Sequence, residues 1–488
     1  MTKSIKYSGT WRFYKKEEFF QGDLYVDREH RTISLDIILT AEDGRKRPGT
    51  PYRGRVPFIN GKLFNGDSVL LSGCQFVRVF RDSGATWRAR FSAGYAFWGL
   101  TVEDESEIKF REAFFEFGDI IEWTGLCSYH WEIGENNEYL AWDSSEPVEM
   151  VINDNLTITA RPVNEWGGFE NFETEMVVRQ KVWFEFSYGI AVSFDTIMED
   201  VRAIAYMIGI GISKRPAVRS AQYCHPSIYS VLKDRNGQDV KRLKRADLLI
   251  GGGNEESGEM VRRTGSFLYR FGDISSGERF EQWRTHYAKL RPILDLYMTA
   301  FEKGGGSDEL IFLNLVQALE TFHARFITNK VKYYFERVDQ LIEEFSKKHS
   351  EEECEEWRLF LIDKGQSRNK NGIFLRSRLA DLTFAEGEVL FLRLGELALP
   401  DFIQKIIDTR NYYTHYDASK LVRSFSEEEL FFVNAELLAL LQFHVLRLLG
   451  FDRKMLRERV IKAVMLNNMM READLEEADE DETDTSKC

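Results

Sequence analysis

Cysteine is scarce in this chain and poorly spaced for chemistry. Cys74, Cys127, Cys224, Cys354 and Cys488 are scattered, with no Cys-x-x-Cys pair. That excludes a zinc knuckle of the usual spacing and gives no disulfide framework. A Walker A loop, a His-Glu-x-x-His helix and a Gly-x-Ser-x-Gly elbow are equally absent, so no P-loop, zinc-protease or serine-hydrolase signature is present. His30, His130, His286 and His349 have no partners at ligand spacing, and the neighbours Cys224 and His225 point in different directions. No metal and no cofactor are expected. Long apolar runs are missing too. The best candidate, Ala203 to Ile212, falls short of the ~18 residues a membrane span needs. Met1 to Tyr7 lacks the apolar core of a signal peptide, so a cytoplasmic, reducing setting without membrane contact is expected.

Positive charge is also in deficit, with a formal net charge of −14 over 488 residues. Half of that excess sits between Arg471 and Cys488, where nine carboxylates face only Arg471 and Lys487. Such a run reads as a solvated, disordered extension; a sharper alternative is a nucleic-acid mimic that occupies a basic cleft. The remainder is close enough to balance that a local positive patch could still hold a few phosphates.

What is present is folded material: 43% apolar and 14% aromatic residues are enough for two or three full cores. Up to about residue 165 the pattern is strand-like, in Tyr25 to Asp27, Thr32 to Leu39, Val69 to Leu71, the alternation Trp87, Ala89, Phe91, and Glu138 to Leu140. Leu156 to Ala160 follows an Asn153-Asp154-Asn155 turn, a hairpin signal. Short strands at such spacing predict an antiparallel sandwich or barrel. Val182 to Phe186 reads as a further strand, and Phe194 to Gly211 turns helical, so residues 166–275 are expected to form a mixed second lobe. Gly251-Gly252-Gly253 reads as a linker. From Glu278 onward the chain reads as helical: Phe280, Trp283, Tyr287, Leu290, Leu294, Tyr297, Met298 and Phe301 trace one face. Ser307 is placed to cap the next helix, and Ser426-x-x-Glu429 is a capping box opening an apolar helix that stops near Gly450.

One helix in that region carries chemistry. Behind Pro400-Asp401, Phe402, Ile403, Ile406 and Ile407 recur at helical spacing, and Arg410 falls on the same stripe. Arg410-Asn411-Tyr412-Tyr413-Thr414-His415 then sets a permanent cation and a titratable imidazole apart by four intervening residues. At about 140° of separation on an ideal helix, either the helix ends between them or both reach into one cleft, which a two-fold dimer would provide. An arginine fork suits a phosphodiester; an imidazole moves protons near neutral pH. RNA brings its own nucleophile, the 2′-hydroxyl. The competing reading pairs Arg410 with a buried carboxylate and leaves His415 as an ordinary helix-end residue. Tyr412 and Tyr416 could stack on an extruded base or simply pack. Glu320, one turn from His323, could line the same cleft or pair with Arg410. His444 reads as a satisfied core histidine.

An Arg-Asn-x3-His segment late in a helical region, preceded by Phe312 to His323, resembles the ApeA type of HEPN domain, whose nuclease members carry Arg-x4–6-His. The N-terminal half resembles the ApeA N-terminal domain in Gly9-Thr10-Trp11, Gly22-Asp23-Leu24, Ile59 to Lys62, Val69 to Cys74, Phe110 to Phe115 and Trp123. The resemblance implies an α+β chain: a β-rich ApeA-type domain over 1–165, a mixed lobe over 166–275, a helical HEPN nuclease domain over 276–470 and an acidic tail over 471–488. It implies a metal-independent endoribonuclease of abortive infection with Arg410, His415 and Asn411 as catalytic residues; residue type and position add Tyr412, Tyr416 and Glu320 as candidates on the substrate. It further implies an RNA substrate (transfer RNA, by analogy with related HEPN toxins), a phage-derived activator sensed by the N-terminal region, and a homodimer. The alternative is a non-catalytic HEPN protein binding RNA or another ligand.

Overall fold

The alternation of apolar and polar residues in the first ninety residues builds a closed barrel. In the computed structural model, β1 (Ile5–Phe13), β2 (Phe19–Asp27), β3 (Thr32–Leu39), β4 (Arg55–Leu63), β5 (Ser68–Arg81) and β6 (Trp87–Ser92) pair antiparallel. A β5–β6 pairing returns the ring to its start. The structure describes residues 4–39, 49–82, 86–118, 120–133, 138–142, 145–166, 178–233, 238–252, 267–275, 277–301, 307–327, 331–368, 374–384, 399–416 and 418–463. The acidic tail lies outside these residues. Inward positions Trp11, Phe13, Leu24, Leu35, Ile37 and Phe91 are buried together. Gly61 is required beside them, because a Cβ there would overlap the Trp11 ring. On the outer side Arg90 grips Asp36 through two bonds of 2.7 and 2.6 Å, and Arg88 holds Asp23 at 2.7 Å. The expected barrel-like domain is therefore present.

Strand β5 outlasts the barrel. Its first half pairs with β7 (Tyr95–Trp98) and its second half with β6, the change of partner falling around Gly73, which adopts φ +65°. Beyond β7 the sheet opens out through β8 (Lys109–Phe117), β11 (Val148–Asn153), β12 (Leu156–Trp166), β13 (Val178–Ser193), β14 (Val218–Lys233) and β15 (Asp239–Ile250), in the order β7-β15-β14-β8-β13-β12-β11. Strands from both sides of residue 165 thus share one thirteen-stranded sheet. After β8 a single turn, α1 (Ile121–Thr124), comes before β9 (Tyr129–Ile133) and β10 (Glu138–Trp142), which form a separate hairpin. The predicted Asn153 turn closes as read, its side-chain oxygen accepting from the amides of Asn155 and Leu156. One face of the open part carries an aromatic core in which Phe194, opening α2 (Phe194–Ile212), meets Phe97 and Phe110 edge-on.

The chain divides into two compact units: Met1–Ala205 with Pro216–Gly258 and Arg270–Glu281, and Tyr206–Arg215 with Glu259–Tyr269 and Gln282–Cys488. The described part of the second is helical. It holds the end of α2, most of α3 (Glu278–Met298), α4 (Asp308–Phe322), α5 (Val331–Phe345), α6 (Glu351–Arg368), α7 (Leu375–Phe384), α8 (Leu399–His415), the short α9 (Ala418–Leu421) and α10 (Glu427–Leu448), with residues 453–463 also helical. Ser426 caps α10 in a full capping box with Glu429, as predicted. Ser307 stands at the N-cap of α4 but makes no side-chain cap bond, so that end depends on Asp308 and Glu309. By length and composition α10 could cross a membrane, contrary to the sequence expectation, yet 67% of its apolar stretch is buried. It is the central helix of this unit, its Gln442 donating to Tyr297 Oη at 2.8 Å.

Candidate functional site

The last turns of α8 are held from behind by polar groups that the core rarely accepts. Phe402, Ile403 and Ile406 bury the apolar stripe, and they are followed by buried Asp408 and Thr409. Both polar residues bind the segment that follows. Lys420 Nζ lies 3.1 Å from Asp408 Oδ1, and Gln404 Nε2 donates to Asp408 Oδ2 at 3.2 Å. The Phe425 amide donates to Thr409 Oγ1 at 2.9 Å, and the Phe425 ring packs against Phe402 and Phe312. A buried charge is tolerated only when so satisfied. The sequence reading passed over Asp408, whose signal was a carboxylate directly behind an isoleucine pair.

The helix continues through His415, which excludes a break between the two candidate residues. It ends at Tyr416, where φ of +50° closes the last turn with an amide bond to the Tyr412 carbonyl at 2.5 Å. Asp401 in the first turn and His415 in the last each suit the helix dipole. Arg410 lies half-buried on the stripe, as its spacing predicts, but it does not pair with a carboxylate among the described residues. Its Nη1 donates to the neutral Asn411 Oδ1 at 3.2 Å, and its carbonyl accepts from Thr414 Oγ1 at 2.7 Å. The reading in which Arg410 is an internal ion-pair partner therefore fails for these residues. His415 is exposed. Its ring makes no hydrogen bond among the described residues.

Tyr412 is half-buried between Tyr413 and Tyr416, at centroid distances of 4.9 and 6.0 Å. Tyr416 itself is 74% exposed. Burial, and then the carboxylate of Glu309, raise the pKa of Tyr413, with Glu427 adding to the effect, so the N-terminal ends of α4 and α10 approach this side of α8. Beyond Tyr416, Leu421 and Val422 are 54% and 92% exposed, beside the exposed Ser419 and Arg423.

Glu320 and His323 do not join this group. His323 is fully buried, its Nε2 3.0 Å from Asp381 Oδ2. Arg378 Nη1 lies 3.4 Å from its Nδ1. Because a guanidinium can only donate, Nδ1 accepts and Nε2 carries the proton toward Asp381. Glu320, half-buried, acts electrostatically on Arg378, whose pKa burial lowers and Glu320 opposes; it forms no ion pair with Arg410 among the described residues. His444 is a satisfied core histidine, its Nε2 at 3.0 Å from the Leu382 carbonyl. The buried Arg378–His323–Asp381 cluster was not foreseen, and nothing in local spacing marks it.

Residues 6–235 match the family model described as ApeA N-terminal domain 1, and residues 313–455 match that described as Apea-like HEPN. No curated protein and no solved structure matches the chain.

Proposed function

The chain belongs to the ApeA-like HEPN family, with an ApeA N-terminal domain ahead of an Apea-like HEPN domain, and we propose that it is a metal-independent endoribonuclease of abortive infection. The two matches fit a HEPN protein of antiphage defence, and HEPN domains are generally ribonucleases. One observation carries the finer reading: Arg410 and His415 end the same helix inside the matched segment, the guanidinium without a carboxylate partner among the described residues and the imidazole open to solvent.

In this reading the nuclease domain spans 276–470 and the Arg410 fork holds the scissile phosphate, its orientation set by Asn411. His415 moves the proton: it takes the 2′-hydroxyl hydrogen as that oxygen attacks phosphorus, or gives one to the departing 5′-oxygen. The products are a 2′,3′-cyclic phosphate and a 5′-hydroxyl. Since Arg410 and His415 point about 140° apart on an ideal helix, a homodimer brings the histidine of one subunit and the arginine of the other to one cleft. The exposed Leu421 and Val422 supply apolar side chains for that contact, and Tyr416 or Tyr412 stacks on an unpaired base. Glu320, whose charge acts on Arg378, has no part in this reading. The β-rich region senses a phage-derived activator, the setting is the cytoplasm, and transfer RNA is the first substrate to try.

The test is a comparison of purified parent, His415→Ala and Arg410→Ala chains on a fluorescent single-stranded RNA. Each variant is expected to lose roughly 10²–10⁴-fold in rate, with RNA binding retained by His415→Ala. Undiminished cleavage by His415→Ala overturns the assignment.

A further inference from the structure

A second site lies far along the sequence from α8, in the β-rich unit. The turn between β2 and β3 faces β13, β14 and β15 across a cavity of about 250 Å³, at the small end of ligand pockets. Its charged lining divides into groups already engaged and groups that are not. Asp27 binds His30 at 2.9 Å and accepts from the amides of Glu29 and His30. Glu165 holds Lys181 at 2.9 Å, and Asp247 accepts from Gln222 at 3.1 Å. All three carboxylates are thus occupied. The guanidinium groups of Arg28 and Arg31 have no carboxylate partner among the described residues; Lys181 and Arg219 also line the cavity but are engaged.

Arg31 also sits where an arginine is costly. Its φ is +47°, a left-handed conformation that favours glycine, and its carbonyl is tied to the Gly252 amide at 2.9 Å. Glycine would close this turn without strain, so the side chain has a use that the turn does not supply. Across the cavity the half-buried Trp183 offers an indole face, and its Nε1 has no hydrogen-bond partner among the described residues.

We propose that this cavity binds a nucleoside monophosphate, with Arg28 and Arg31 on the phosphate and Trp183 against the base. Guanidinium forks match phosphate oxygens in geometry as well as charge, and an indole accepts any base by stacking. Inorganic phosphate would leave the aromatic side empty, and an oligonucleotide exceeds the volume.

Calorimetric titration of the full chain carrying His415→Ala with AMP, GMP, CMP and UMP tests this independently of the nuclease reading, because no turnover is needed. At least one nucleotide is expected to bind with Kd below about 1 mM. Adenosine and inorganic phosphate should bind at least about tenfold more weakly. Adding Arg31→Gly should weaken the nucleotide about tenfold or more, the loss of a charge-assisted contact, while leaving the melting temperature equal or higher because the turn is relieved. Trp183→Leu should weaken the nucleotide but not inorganic phosphate. Heat-silent titrations with all four nucleotides, or unchanged affinity in Arg31→Gly, overturn the proposal.

Discussion

At the scale of single residues, the candidate site is defined as much by the carboxylate that Arg410 lacks among the described residues as by what it touches. A half-buried guanidinium bonded to a neutral amide keeps its charge available, whereas a carboxylate partner would have cancelled it. The contrast with His444 is instructive. Burial, opposed by its bond to the Leu382 carbonyl and aided by His323, holds the His444 pKa below the ordinary 6.5. The unfolded chain therefore takes up that proton first. The stability it contributes is complete above about pH 6.5 and is lost as pH falls through the lower folded value. Between about pH 7 and pH 5.5, the melting temperature should fall more steeply for the parent than for His444→Gln. Equal slopes would assign the acid sensitivity to other groups. Residue type and spacing picked out Arg410 and His415 as candidates and made the core role of His444 legible in the sequence. The fate of Glu320 was not, because it depends on Arg378, more than fifty positions away.

At the scale of elements, helix α8 is positioned by the chain that returns beneath it. Asp408 is nearly inaccessible, and Lys420 is its only cation among the described residues. Lys420→Ala strands that carboxylate and should cost about 2–3 kcal/mol in urea unfolding. Lys405→Ala, which breaks a pair with the more exposed Glu429, should cost under about 1 kcal/mol. Similar losses would mean that Asp408 is satisfied without Lys420. Local pattern announced these elements well: the 3.6-residue period located α2 and α3, and Ser426 with Glu429 marked the start of α10. It could not announce that β5 serves two partners along one edge, β7 and then β6, and so closes a barrel while leading an open sheet. That depends on register across distant strands and on the bend at Gly73. The same limit concealed the continuity of the sheet past residue 165, since a change in periodicity marks an inserted helix as readily as a new lobe.

At the scale of the whole molecule, a β-rich unit matched as an ApeA N-terminal domain precedes a helical unit matched as HEPN. The proposed dimer gives the exposed residues after α8 a purpose. Val422, 92% exposed, is expected to be covered in it. Val422→Asp should halve the mass seen by light scattering and abolish cleavage together, while the circular dichroism spectrum is kept. A dimeric or fully active Val422→Asp chain would place the interface elsewhere. The central claim is that an arginine and a histidine at the end of α8 cut RNA by 2′-hydroxyl attack. Mapping the termini of cellular RNA after expression of the parent and of Arg410→Ala tests it most directly. New fragments ending in 2′,3′-cyclic phosphate and beginning with 5′-hydroxyl should accumulate with the parent and be absent with Arg410→Ala. The same fragments from both chains, or 3′-hydroxyl ends from the parent, would contradict it.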